Sequence, residues 1–87
     1  MKYKVFSVLD NGVSTFGAPM FARHVGEMVR SLETEVNRDD ERNMLNRHPE
    51  DFVLFELGEF DDQSGAFELH VTPQHVMRAL EVKKVTS

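Results

Sequence analysis

The stretch DFVLFELGEFDDQSGAFEL, Asp51 to Leu69, constrains this chain more than any other. It reads as two antiparallel strands joined by a tight turn. Phe52, Val53, Leu54 and Phe55 form a continuous run of aromatic and aliphatic residues suited to a pleated surface, and the lack of polar alternation asks for cover on both faces. The second cover is either Val76–Leu80 or a partner subunit. In the cluster Asp61-Asp62-Gln63-Ser64-Gly65, Gly65 takes the positive φ of a type I turn with a bulge, and Asp61 bonds back to the turn backbone. Ala66 to Leu69 begins the return strand. With Phe60 facing Ala66, Glu56 falls opposite His70 as a cross-strand ion pair.

The remaining elements arrange themselves around this hairpin. Lys2 to Leu9 reads as a first strand, with Tyr3, Val5, Ser7 and Leu9 on one face and Phe6 and Val8 on the other. Asn11-Gly12 ends it in a turn. Val25, Met28, Val29, Leu32 and Val36 recur at helical spacing, a narrow stripe that packs on the sheet. The helix starts either just after Pro19 or near His24; Gly26 is less costly in a first turn, which favours the later start. Glu27, Arg30 and Glu33 are spaced to pair on its solvent side. Asn37–Arg47 is a charged connection in which Asp39 is placed to cap a short turn that lets Met44 and Leu45 touch the core. His48-Pro49-Glu50-Asp51 is a turn. Thr72-Pro73 offers a hydroxyl cap and a first-turn proline, so Val76, Ala79 and Leu80 read as one face of a short C-terminal helix, followed by an extended tail. The expected fold is α+β: one domain over residues 1–87, with a small antiparallel sheet of three to four strands, one main helix (25–37) on one face and a short C-terminal helix.

At 87 residues the chain buries only roughly 60–65% of the surface its unfolded form exposes, so a homodimer is expected. It has no cysteine, hence no disulfide or thiolate metal site. No apolar run reaches the length of a membrane span, and the N-terminus turns polar too soon for a secretory segment. The net charge of −5 is unevenly spread. Residues 1–30 carry four basic and two acidic side chains, 31–70 three and twelve, and 71–87 three and one. The bland reading is a solvated acidic surface; if the ends meet in space, Lys2, Lys4, Lys83 and Lys84 form one basic patch.

Few residues suggest chemistry. His24, His48, His70 and His75 share no metal-binding spacing, and the turn at Asp61–Gly65 lacks the ligand positions and closing glutamate of a calcium loop. Glu56, Glu59 and Glu68 are carboxylates without a foreseeable pocket, and no nucleophile elbow or phosphate-binding loop is present. A non-enzymatic protein without cofactor is expected. Tyr3 and Phe6 alternating with Lys2 and Lys4 fit single-stranded nucleic acid, where aromatic faces take bases and cations take phosphates; Phe6 reads more simply as core.

In KYKVFSVLD, APMF, the helix ending MVRSLETEVN and above all HPEDFVLFELGEFDDQSGAF, the chain resembles the small nonstructural protein of gokushoviruses, Microviridae phages with circular single-stranded DNA. The likeness covers nearly the whole chain in order. Gly17-Ala18-Pro19 stands where the family has a double proline, and the Arg38–Arg47 connection is longer and more charged. The resemblance implies a protein of the infected bacterium's cytoplasm, outside the capsid, that binds single-stranded DNA in genome replication or in the switch to single-strand synthesis. It brings no assigned residues. Physics alone nominates Lys2, Tyr3, Lys4, Arg23, Lys83 and Lys84 as DNA contacts. The alternative is an acidic adaptor engaging a host or phage replication protein, with the Arg38–Glu50 connection as its sensitive region. A structural dimer with scaffolding duties is the third class.

Overall fold

The computed structural model describes residues 1–84. Strands β1 (Lys2–Asp10), β2 (Thr15–Phe16) and β3 (Met20–Ala22) are followed by α1 (Val25–Val36) and the four-residue α2 (Met44–Arg47). A 3-10 turn, Pro49–Asp51, then leads into β4 (Phe52–Asp61), β5 (Ala66–Arg78) and a last 3-10 turn, Ala79–Val82. All strand pairs are antiparallel, in the order β2-β1-β4-β5, with β3 on the same edge of β1 as β2. The architecture is the expected α+β, with five strands once the two short ones are counted.

The hairpin forms as its turn chemistry dictates. Gly65 has φ +73° and donates its N–H to Asp61 O at 2.8 Å, while the Asp61 carboxylate accepts from Gln63 N at 2.9 Å. The register differs by one from that expected, because Asp61 rather than Phe60 faces Ala66. Farther down, β5 carries extra residues around His70–Pro73, so Gly58 pairs with Leu69 but Glu56 pairs with Gln74. Glu56 still reaches His70, 2.6 Å from its Nε2, across this irregularity. Gly58 sits where β4 bulges; a Cβ there would lie 2.2 Å from Glu68 O. Only glycine fits.

Alternation along β1 sorts the core. Phe6 is fully buried beneath α1 with Ala22, Met28, Leu32, Val36, Leu54 and Ala79. The α1 stripe lies as its spacing requires, and the helix starts late, with His24 at the cap position and Met20–Ala22 extended. The pairs foreseen for Arg30 do not form. Arg38 instead bonds Glu35 at 2.7 Å and Asp40 at 3.0 Å.

Two further sequence expectations are overturned. The segment from Thr72 is not a helix but the continuation of β5, and only Ala79–Val82 is helical, as a 3-10 turn. Proline is equally at home on an edge strand at a bulge, where no ladder donor is lost, and the long β4 takes a partner along its whole length. Leu80 is accordingly exposed. Val85, at the end of the foreseen tail, lies outside the described residues. Asp39 caps nothing. Asn43 holds the position before α2, and its side chain turns to α1, donating to Glu35 O (2.8 Å) and Arg38 O (3.0 Å). Asn46 donates to Val36 O, and Asn37 to Glu33 O and Val82 O. Three asparagines thus satisfy carbonyls that the helix end leaves open.

Candidate functional site

The helix covers one face of the sheet and leaves the other without a layer of its own. On that face β1 carries Tyr3, Val5, Ser7 and Leu9; Val5 and Ser7 are buried, the Ser7 hydroxyl donating to Gly17 O at 2.7 Å, so the exposed apolar surface belongs to the residues around them. The neighbours of these β1 residues across the ladder are Phe60, Phe21, Phe55 and Phe16. Toward the hairpin tip the rings of Phe60 and Phe67 lie 4.8 Å apart, and Phe21 lies 5.8 Å from Phe60 and 6.3 Å from Phe67. Toward the other end Phe55 meets Phe16 at 5.6 Å and His75 at 5.9 Å, both edge-on. The result is a track of aromatic rings. Val5, Pro19, Phe21, Leu57, Phe67 and Leu69 line a shallow depression of about 400 Å³ in it. Phe21 and Phe67 are about half exposed, at 48% and 52%, and Leu69 is 64% exposed. Contiguous exposed apolar surface of this kind is where a binding face is sought.

The opposite face of the same distal hairpin is charged. Glu59 stands directly across from Glu68, and Lys2 lies with Glu59, Asp61 and Glu68 around a small polar depression. Lys4 is 3.3 Å from Glu56, whose other oxygen meets His70. Burial pushes the Glu56 carboxyl up, but the His70 and Lys4 hydrogen bonds outweigh it and hold the group below its usual range. Tyr3 therefore faces the aromatic track while Lys2 and Lys4, its neighbours in sequence, face away from it.

The basic ends do not meet. Lys2 pairs with Asp61 at the hairpin tip, whereas Lys83 and Lys84 follow the turn after Arg78, which pairs with Val53 at the far end of β4. At roughly 3.3 Å per residue, that is on the order of 25 Å along the sheet. Lys83 and Lys84 are joined instead by Arg47, a residue the sequence did not single out, around a polar depression of about 470 Å³ with Asn37, Asp39 and Asn46. The Lys84 N–H bonds Asn37 Oδ1 at 2.8 Å, which fixes the backbone of this corner. Arg47 stands 4.0 Å from Asp39. Arg23 is exposed between β3 and α1, with no ion pair among the described residues. The carboxylates of the Asn37–Arg47 connection are largely engaged by its own arginines; Asp40, bonded by Arg42 N and Arg38, is held below its usual range.

One cluster of metal-type donors occurs among the described residues: His48, Glu50 and Asp51, with ligand atoms all within 4.8 Å of one another. His48 and Glu50 are exposed and 3.5 Å apart, as in an ordinary ion-paired turn. No helix among the described residues is long and apolar enough to cross a membrane.

Fold and surface define a small α+β protein with a helix on one sheet face and a track of aromatic rings on the other. Residues 3–82 match the family described as Phage ORF5 protein, and the chain belongs to that family. No curated protein and no solved structure matches it.

Proposed function

We propose that this phage protein is a non-enzymatic, nonstructural protein that binds single-stranded DNA during genome replication or the switch to single-strand synthesis in the cytoplasm of the infected host. The observation that carries this reading is the open aromatic track. A sheet face lined by Tyr3, Phe21, Phe60 and Phe67 offers π-faces on which unpaired bases stack without sequence preference, and duplex bases are not available to it. The likeness to the gokushovirus nonstructural protein supports the replication setting. Phosphate attraction falls to the cations that border the molecule: Arg23 near the track, and Arg47, Lys83 and Lys84 at the far corner. Lys4 is committed to Glu56, and Lys2 lies among carboxylates, so both contribute less than their sequence position suggests. With a net charge of −5, stacking carries more of the affinity than ion release does.

Fluorescence anisotropy with a labelled single strand and a duplex control tests this. Preference for the single strand, with only a shallow weakening between low and moderate salt, is the expected result. Absence of binding at low salt overturns the reading.

A second reading has its own observation. Glu59 directly opposite Glu68 is a like-charge cross-strand pair, unfavourable within the chain and retained on an uncovered surface. It suits an adaptor that engages a basic replication protein through the hairpin rather than through the Arg38–Glu50 connection. Glu59→Lys with Glu68→Lys abolishes such an interaction and leaves stacking on DNA intact.

A further inference from the structure

We infer that two copies of this chain join edge to edge through the first half of β5, with Leu69 on the two-fold axis. The strand order ends at β5, so its outer edge has no neighbour among the described residues. Beyond Val71 it is guarded by Pro73, a device that blunts an edge, while its pairing with β4 loses register after Leu69. From Ala66 to Val71 the strand carries no proline, and up to Leu69 its pairing with β4 is regular.

The direction of the backbone groups there follows from two bonds at the tip. Asp62 N donates to Met1 O on the β1 side, and Gly65 N donates to Asp61 O on the β5 side. Alternation then sends the N–H and C=O of Phe60 and Gly58 toward β1, so those of their partners Phe67 and Leu69 point to the open edge.

The side chains of this segment are self-complementary about Leu69. A second β5 running antiparallel places Leu69 against Leu69, Phe67 against Val71 and Glu68 against His70 of the other copy. The first two pairings are apolar, and the last brings a carboxylate beside the imidazole whose Nε2 already bonds Glu56. This order also accounts for the exposure. Val71 is 105% exposed and Leu69 64%, in a chain otherwise short of core. The axis stands perpendicular to the sheet, so both aromatic faces come to lie on the same side and form one continuous surface. The pairing itself stands without the DNA reading, since it concerns the protein alone.

The chain has no cysteine, which makes single-cysteine variants clean probes. Hydrogen-bonded antiparallel partners have Cα atoms about 5.5 Å apart, within the range of about 4.4–6.8 Å that a disulfide spans. Leu69→Cys, oxidised in the absence of DNA, is expected to form a covalent dimer at least tenfold faster than the exposed control Val13→Cys. Sedimentation of the cysteine-free protein over a concentration series is expected to show a monomer–dimer equilibrium. Val71→Lys places a cation opposite Phe67 of the second copy and should weaken that equilibrium tenfold or more. A chain that stays monomeric throughout, equal cross-linking at positions 69 and 13, or a dimer indifferent to Val71→Lys each overturns the pairing. None of these bears on whether a monomer binds DNA.

Discussion

The two ends of the β4–β5 hairpin are built from similar residues and meet different fates. At the α1 end Leu54 is fully buried, its neighbour Phe52 packs against the core, and Phe55 on the other face is capped by Phe16 and His75. At the tip Phe67 and Leu69 stand on the same sheet with no layer above them. The apolar residues near the helix hold the fold, because removing them from water is what stabilises a thin core. Those near the tip stabilise it little, and their exposure has to be explained by something outside the monomer. Gly58 and Glu56 mark the joint between the two regions.

The largest expected effect separates the two leucines. Leu54→Ala should lower stability by about 2–5 kcal/mol, as large-to-small changes in sealed cores do. Leu69→Ala should change it by less than about 0.5 kcal/mol at concentrations where the chain is monomeric. Urea unfolding of both variants checks this, and equal losses would erase the distinction between the regions. Gly58→Ala comes next, costing about 2–4 kcal/mol, because its Cβ would collide with the Glu68 carbonyl and force β5 away. A circular-dichroism melt no lower than that of the unaltered protein would show the bulge to be more pliant than its geometry.

Glu56→Gln removes a charge that His70 and Lys4 hold at the joint and should cost about 1–3 kcal/mol at neutral pH. The sign with pH follows from the lowered carboxyl. Its contribution is complete above the ordinary glutamate value of 4.5 and is lost as pH falls through the lower folded value. The gap between the two proteins should therefore narrow below about pH 4.5. A gap that stays constant down to pH 3 would assign the loss to packing. A smaller loss than these, about 1–2 kcal/mol for lost ring contacts, belongs to Phe21→Ser combined with Phe67→Ser, with single-strand affinity reduced tenfold or more. Anisotropy at a temperature where both proteins are folded measures that ratio.

Local chemistry was legible in the sequence. The Gly65 turn, the α1 stripe and the burial of Phe6 follow from residues within a few positions of one another, and all three are present. What was not legible depends on distant partners. Pro73 after a threonine is equally a helix start and an edge-strand bulge, and only the length of β4 chooses between them. The asparagines at 37, 43 and 46 look like a polar connection until the end of α1 is placed beside them. Arg47 gave no signal, since its meeting with Lys83 and Lys84 is a property of the folded corner. That Lys4 is held by Glu56 and Lys2 stands among Glu59, Asp61 and Glu68 likewise depends on β4 and β5 lying alongside.

The most direct test is a two-dimensional amide NMR titration of the full chain with a short single-stranded oligonucleotide at low salt. Shifts concentrated at Tyr3, Phe21, Phe60 and Phe67, with the α1 core unmoved, are the predicted result. Shifts confined to the corner of Arg47, Lys83 and Lys84, or no shifts at all, would contradict the assignment of the aromatic track as the binding face.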